Sequence, residues 1–184
     1  MTVGTIKMTA QQYLQLGEDP PGVRLELVNG EVAVSPSPEL DHTYTSAVVM
    51  AFLIQHVLRH QLGQVFNEPD VVLGPHQVRR PDVVFVARNR VHLLRKVIEV
   101  PPDLCVEIIS PSSASIDRAD KFGEYQAFGV AHYWIVDPAE RTIEAYRLKG
   151  GHYVSAGGGK GAETVYLPPF PELEIPLAQL WRPE

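Results

Sequence analysis

The sequence lacks the features that mark several classes of protein. Its 184 residues include a single cysteine, which excludes a disulfide within the chain and fits a reducing compartment. No apolar run approaches the roughly 18 residues that a membrane-spanning helix needs. Residues 1–10 have neither the basic start nor the apolar core of a signal peptide. These absences predict a cytoplasmic protein without membrane contact.

The length and composition predict one globular domain over residues 1–184. The chain is little longer than a typical domain of about 150 residues. It shows no repeat and no linker that would divide it. Apolar residues make up 45% of the chain and charged residues 21%, which is ordinary for a globular protein.

Basic residues are scarce and concentrated in one segment. The chain carries 16 basic and 22 acidic residues, a net charge of -6, which argues against a protein coated for nucleic-acid binding. Residues 79–96 are the exception, with six basic residues and only Asp82 as an acid. This segment is either a solvated loop with scattered arginines or part of a site that attracts anions.

The sequence pattern predicts alternating helices and strands. Thr9 caps a short helix over residues 9–16, and Asn29-Gly30 turns a hairpin over residues 23–34. Helical periodicity predicts a long helix over 39–60 and a second helix over 117–128, with Asp117 as its cap and Gly129 as its stop. Strands are predicted at 64–66, 70–73, 82–87, 103–110, 132–136, 142–148 and 152–155.

This order of elements predicts an α/β or α+β fold with a central mixed sheet and helices on its faces. The glycine-rich residues 156–161 are expected to form a flexible loop, since no strand and helix frame them as a phosphate cradle. Trp134 is expected in the core, and Leu177, Leu180 and Trp181 in a terminal helix or strand that packs back on the domain. Nothing in residues 150–184 has a catalytic pattern.

Two carboxylates lie in apolar strand sequences, where an unpaired charge is costly to bury. Asp82 precedes the run Val83–Val86, and Glu107 lies within Leu104–Ile109. In strict alternation Glu107 shares an apolar face with Cys105 and Ile109, so it needs a cation. That cation is an arginine or a divalent metal.

If the cation is a metal, the donor atoms favour magnesium or manganese. Two carboxylates from neighbouring strands and a backbone carbonyl such as that of Ile108 form a hard oxygen site, whereas zinc prefers nitrogen and sulfur. His56 and His60 have helical i, i+4 spacing, but no acid lies near them in the pattern, so we expect them to be exposed.

A hard metal beside a basic segment suggests phosphodiester chemistry. Lys121 is the candidate ammonium that offsets charge developing on the phosphate, and Tyr125 lies one helical turn further on the same face. The alternative is that Lys121 pairs with Asp117 or Tyr125 on the surface.

Together these segments resemble the PD-(D/E)XK superfamily, the restriction-endonuclease-like nucleases. Within it they resemble the Uma-type restriction endonuclease family, formerly a domain of unknown function. The matching segments cover most of residues 24–148 in order: 25–31, 35–38 followed by His42, 80–86, 102–113, 117–125 and 129–138.

The resemblance implies a restriction-endonuclease-like core with an N-terminal hairpin, and it implies Asp82 and Glu107 as metal ligands. Glu26 matches an acid near the same site, unless it is only an exposed hairpin residue. His42 contacts phosphate or caps the long helix. The superfamily lysine expected two residues after the second acid is absent, since Ile109 stands there, and Lys121 matches a lysine relocated to the next helix.

The sequence thus predicts a Mg²⁺- or Mn²⁺-dependent endonuclease with nucleic acid, expected to be DNA, as its substrate. Asp82, Glu107, Lys121 and Glu26 would form the catalytic group. Arg79, Arg80 and Arg88 would steer the nucleic acid toward the acids, with His42 and Tyr125 beside it. Cutting two strands favours a homodimer. The alternative is a catalytically inactive nuclease-fold protein that serves as an oligomeric binding or scaffold module.

Overall fold

A computed structural model describes residues 7–110 and 116–183. The helices are α1 (Ala10–Tyr13), α2 (Leu40–His60) and α3 (Phe122–Phe128), with a π-helical turn at Ile116–Lys121 directly before α3. Short 3₁₀ turns lie at Arg88–Leu93 and at Leu177–Gln179. The strands are β1 (Val23–Val28), β2 (Glu31–Pro36), β3 (Gly63–Asn67), β4 (Val71–Gly74), β5 (Gln77–Arg79), β6 (Val83–Ala87), β7 (Leu104–Ile108), β8 (His132–Asp137), β9 (Thr142–Lys149), β10 (His152–Lys160), β11 (Thr164–Leu167) and β12 (Phe170–Pro176).

The strands form one large mixed sheet and two smaller sheets. The large sheet has the order β10-β9-β8-β7-β6-β3, in which β7 and β8 are parallel and the other neighbours antiparallel. The hairpin sheet has the order β2-β1-β5-β4, and β11 pairs with β12. The π-helical turn and α3 lie between the parallel strands β7 and β8, as a parallel connection requires. The predicted mixed sheet flanked by helices is confirmed.

Two apolar clusters cover the two faces of the large sheet. Because side chains alternate along a strand, Val83 and Phe85 join the cluster that contains α2, while Val84 and Val86 join the cluster that contains Tyr125 of α3. Trp134 is fully buried in the α2 cluster, which confirms its prediction as a core residue. No helix in the described ranges has both the length and the apolar character to cross a bilayer.

Several local predictions are confirmed because they depend on short-range chemistry. Thr9 and Gln12 form a capping box on α1. Asn29 and Gly30 take positive φ angles of 52° and 81°, which a two-residue hairpin turn of this type requires. Gly129 ends α3 in the left-handed region.

Other local predictions need correction. The predicted loop at 156–161 is wrong over most of its length, since β10 continues to Lys160 and Gly158 pairs with Glu144. A Cβ on Gly158 would lie 2.6 Å from the carbonyl oxygen of Ile143, so the glycines allow close strand approach rather than flexibility. Helical backbone is already present at Ile116, before the predicted cap at Asp117. Strands β5, β11 and β12 were not predicted.

Candidate active site

Asp82 and Glu107 lie side by side on the α3 face of the large sheet. The antiparallel register of β6 and β7 pairs Val83 with Val106 and Val84 with Cys105. Continued by one pair, this register sets Asp82 opposite Glu107. Both carboxylates are buried, each with 1% of its surface exposed. The strand pairing therefore brings together the two acids that the sequence singled out.

Glu107 is held by two side chains from the segment that follows β7. The ammonium of Lys121 lies 2.8 Å from Oε2, and the hydroxyl of Tyr125 donates to Oε1 at 2.6 Å. The i, i+4 spacing of these residues places them on one helical face. Lys121 is 6% exposed, so it is not a surface pair. Burial, followed by the adjacent Glu107 charge, raises the pKa of Tyr125 well above its usual value, so the phenol keeps its proton and acts as a donor.

Asp82 is surrounded by donors from three other parts of the chain. Arg24 Nη1 donates to Oδ1 at 2.9 Å, and the main-chain N–H of Ile108 donates to Oδ2 at 2.7 Å. His42 Nε2 lies 3.3 Å from Oδ2. Burial opposes the charged form, but the hydrogen bond from His42 and the charge of Arg24 outweigh it and lower the pKa of Asp82. Asp82 is therefore a carboxylate at neutral pH.

Glu26 enters the site from the hairpin sheet. Its Oε2 accepts from Arg79 Nη1 at 3.1 Å, and its Oε1 accepts from the main-chain N–H of Arg80 at 2.8 Å. Lys121 Nζ lies 3.9 Å from Oε1. Burial alone would raise the pKa of Glu26. The charges of Lys121 and Arg79 have the larger combined effect, so the pKa of Glu26 is lowered. Glu26 is thus a buried member of the cluster and not an exposed hairpin residue.

The arginines expected to steer nucleic acid have partners within the protein. Arg79 is 2% exposed, and its Nε and Nη2 grip Glu124 at 2.6 and 2.8 Å. Arg80 pairs with Asp70 and Asp19. Both guanidinium groups cross-link the scaffold, because Arg79 joins β5 to α3 through Glu124 and Arg80 holds acids that lie just before β1 and β4. Arg88 lies at the surface, where it donates to Gln61 Oε1.

The structure corrects the predicted helix-cap role of His42 and the predicted exposure of His56. His42 is buried and faces Asp82, and it does not cap α2, whose N-cap is Glu39. His56 and His60 have ring centroids 4.6 Å apart, and His56 also packs on Phe170. His60 is exposed as expected, whereas His56 is half-buried.

Two residues of the site were missed from the sequence. Arg24 contacts Asp82, and Glu124 holds Arg79. A signal for Arg24 existed, because period-two alternation in β1 puts it on the same face as Glu26. Glu124 lies three residues after Lys121 on a neighbouring helical position, but nothing in the pattern identified Arg79 as its partner.

The donor set fits a hard divalent cation. Asp82 and Glu107 offer carboxylate oxygens, and the main chain of Ile108 lies beside them, since its N–H donates to Asp82. Mg²⁺ is commonly bound through one or two carboxylates while it retains water. Across the described parts of the chain, no group of three or more His, Cys, Asp or Glu residues is arranged to hold a metal. Among these residues, an all-protein cage for a metal ion is therefore not present.

The sequence matches the family model Uma2, described as "Putative restriction endonuclease", over residues 10–178. Among solved structures it is similar to a "putative nuclease belonging to DUF820" from Anabaena variabilis ATCC 29413, with a TM-score of 0.78 and 20% identity over 95% of this chain and 97% of that chain. This similarity establishes the restriction-endonuclease-like fold.

A second solved structure, the type IIG restriction endonuclease BpuSI, aligns with 63% of this chain and 13% of that enzyme. Its TM-score is 0.39 and its identity 15%. No curated protein matches the chain.

Proposed function

The chain belongs to the Uma2 family, and from that premise we propose that it is a metal-dependent endonuclease that hydrolyses phosphodiester bonds of DNA. One observation carries the proposal. Two buried carboxylates, Asp82 and Glu107, share one face of adjacent strands, and the ammonium of Lys121 lies 2.8 Å from Glu107. Two acids can hold a metal ion, and a fixed ammonium beside them can offset charge that develops on a phosphate.

The proposal assigns the metal ion to Asp82, Glu107 and the carbonyl of Ile108, with Mg²⁺ or Mn²⁺ as the ion that prefers such oxygens. When bound, a divalent ion at these oxygens withdraws charge from phosphoryl oxygens and acidifies water. The low pKa of Asp82 keeps this carboxylate ionised at neutral pH, so it binds a cation without first losing a proton.

Lys121 is proposed to orient the attacking water and to stabilise the charge that develops on the phosphate. Its ammonium is fixed between Glu107 at 2.8 Å and Glu26 at 3.9 Å. A fixed cation needs no reorganisation when negative charge forms beside it, which is the source of its catalytic value. Tyr125 holds the other oxygen of Glu107 and so limits the orientations available to this pair.

Arg79 and Glu26 are proposed as positioning residues. Arg79 joins Glu26 to Glu124, which ties the hairpin sheet to α3. This link fixes the distance between Glu26 on β1 and Lys121, which ends the π-helical turn before α3. Their role is therefore to hold the cluster, while substrate contact falls to residues nearer Asp82.

We place the enzyme in the cytoplasm and expect it to act as a homodimer, because a duplex presents two strands to be cut. The alternative remains a catalytically inactive nuclease-fold module with a binding or scaffold role. It is favoured by one observation: protein donors already contact each of the four oxygens of Asp82 and Glu107. The following experiment separates the two.

Purified protein is incubated with supercoiled and linear DNA, with Mg²⁺, Mn²⁺ or a chelator, beside the variants Asp82→Asn and Glu107→Gln. The matched controls are Asp41→Asn and Glu172→Gln, which change exposed acids outside the site. We expect the wild type to cleave DNA only with a divalent ion. Both site variants should lose cleavage, and both control variants should keep it. Cleavage that persists in both site variants refutes the assignment, and a folded wild type that binds Mn²⁺ or DNA without cutting favours the alternative.

A further inference from the structure

The guanidinium of Arg24 is only partly used by the protein. Nη1 donates to Asp82 at 2.9 Å and lies 3.5 Å from Glu68. Nε and Nη2 of the same group are buried and have no hydrogen-bond partner among the residues that the structure describes. Their two N–H groups lie on one edge of the planar guanidinium, the edge that binds two oxygens at once.

Arg79 shows what the same edge does when it is satisfied. Its Nε and Nη2 bind the two oxygens of Glu124 at 2.6 and 2.8 Å. Arg24 lies on the neighbouring strand and is also largely buried, with 17% of its side chain exposed. No carboxylate fills the corresponding edge of Arg24 in the described structure.

The unpartnered atoms cluster around Asp82. Within residues 7–110 and 116–183, four buried side-chain nitrogens lack a partner: Nε and Nη2 of Arg24, Nδ1 of His42 and Nε2 of Gln77. Three of the four belong to the two side chains that contact Asp82. Nε and Nη2 of Arg24 are donors in every state of the side chain. Buried donors without partners are rare and costly, so this pair beside one carboxylate indicates a ligand with acceptor oxygens.

We propose that Arg24 is a substrate-binding residue: when the groups that bury its Nε–Nη2 edge move aside, this edge binds a phosphate group of the nucleic-acid backbone while Nη1 remains on Asp82. The inference rests on the proposed function, which supplies a phosphodiester at this site. It adds a contact that the sequence did not reveal: the Arg24 guanidinium, which orders Asp82, also holds the phosphate beside Asp82. Bidentate binding of this kind is specific to arginine, and lysine cannot reproduce it.

The test measures binding of a short fluorescein-labelled duplex by anisotropy, separately in a chelator and in Ca²⁺, for the wild type, Arg24→Lys and Arg24→Gln. Arg90→Lys is the matched control, since Arg90 is part-buried and pairs with Asp103 beyond the far end of β6. We expect both Arg24 variants to lose about tenfold in affinity and Arg90→Lys to bind as the wild type. In Arg24→Gln the slope of log affinity against log salt should fall by about 0.9, the value for one lost phosphate contact.

Wild-type affinity and salt slope in the folded Arg24 variants overturn the inference and leave Arg24 as a residue that only positions Asp82. If Arg24→Gln does not fold, Arg24→Lys decides, because it keeps the charge beside Asp82 and loses only the fork. A wild type that binds no duplex in either buffer also overturns it. Inorganic phosphate is added as a competitor: tight phosphate binding with duplex binding independent of Arg24 overturns the nucleic-acid assignment.

The cleavage assay separates this inference from the proposed function. Arg24 variants that bind and cut like the wild type contradict the inference and leave the function standing. A wild type that never cuts, yet binds the duplex through Arg24, contradicts the function and supports the inference.

Discussion

Replacement of Arg79 by methionine tests whether this residue holds the site together or meets the substrate. Arg79→Met removes three N–H donors from Glu26 and Glu124 and keeps most of the side-chain volume. Breaking a buried ion pair costs about 3–5 kcal/mol. The low end applies, because Glu26 retains the N–H of Arg80 at 2.8 Å and the Glu124 side chain is 24% exposed.

A loss of about 3 kcal/mol corresponds to a fall in Tm of about 6–12 °C for a domain of this size. Thermal unfolding followed by circular dichroism at neutral pH measures it, with urea unfolding to give the free energy. The matched control is Arg88→Met, which removes an exposed arginine bonded to Gln61 and should change stability by less than about 0.5 kcal/mol. A variant Arg79→Met that melts with the wild type but binds DNA weakly refutes the scaffold role and restores the steering role.

Three further predictions follow from the same geometry. Lys121→Met should lower the cleavage rate at least about a hundredfold, and a rate within twofold of the wild type in a folded variant contradicts its role. The pKa of Asp82 is lowered in the folded state, so the stabilisation from its charge is present above the unfolded pKa near 3.9 and is lost as the pH falls further. In urea unfolding between about pH 4 and 2, the free energy of unfolding should therefore fall more steeply for the wild type than for Asp82→Asn. Equal slopes contradict this prediction. Gly158→Ala should lower the free energy of unfolding by about 1–3 kcal/mol, because its Cβ would lie 2.6 Å from a backbone oxygen. Gly123→Ala, at a helical site with no atom within 4 Å of the Cβ, should raise it by up to about 1 kcal/mol. Equal melting temperatures of the two variants would restore the flexible-loop interpretation of residues 156–161.

The parts of the fold that sequence reasoning predicted are those governed by neighbours in the chain. The capping box at Thr9, the Asn29–Gly30 turn and the periodicity of α2 each depend on residues a few positions apart. Among the missed elements, β11 and β12 pair with each other across a two-residue connection, whereas others depend on more distant partners. β5 has three residues and pairs with β1 and β4, and the glycines of β10 form a strand only because β9 lies beside them.

The acids of the site were predictable because burial makes an isolated charge conspicuous in an apolar strand. Asp82 and Glu107 are indeed buried and adjacent in the sheet, and Lys121 reaches Glu107. The arginines were harder, since a basic residue in sequence gives no sign of which acid it meets. Arg79 turned inward to Glu124 while Arg24 turned toward Asp82, and in both cases the acid is distant in the chain from the arginine that it meets.

The most direct test of the central claim is the anomalous diffraction of a crystal soaked in Mn²⁺. If Asp82 and Glu107 hold the metal ion, one anomalous peak lies within bonding distance of carboxylate oxygens of both, and it is weakened or lost in Asp82→Asn. A well-ordered crystal without a peak there, or with Mn²⁺ bound at other residues only, contradicts the claim that these two acids form a metal-dependent hydrolytic centre.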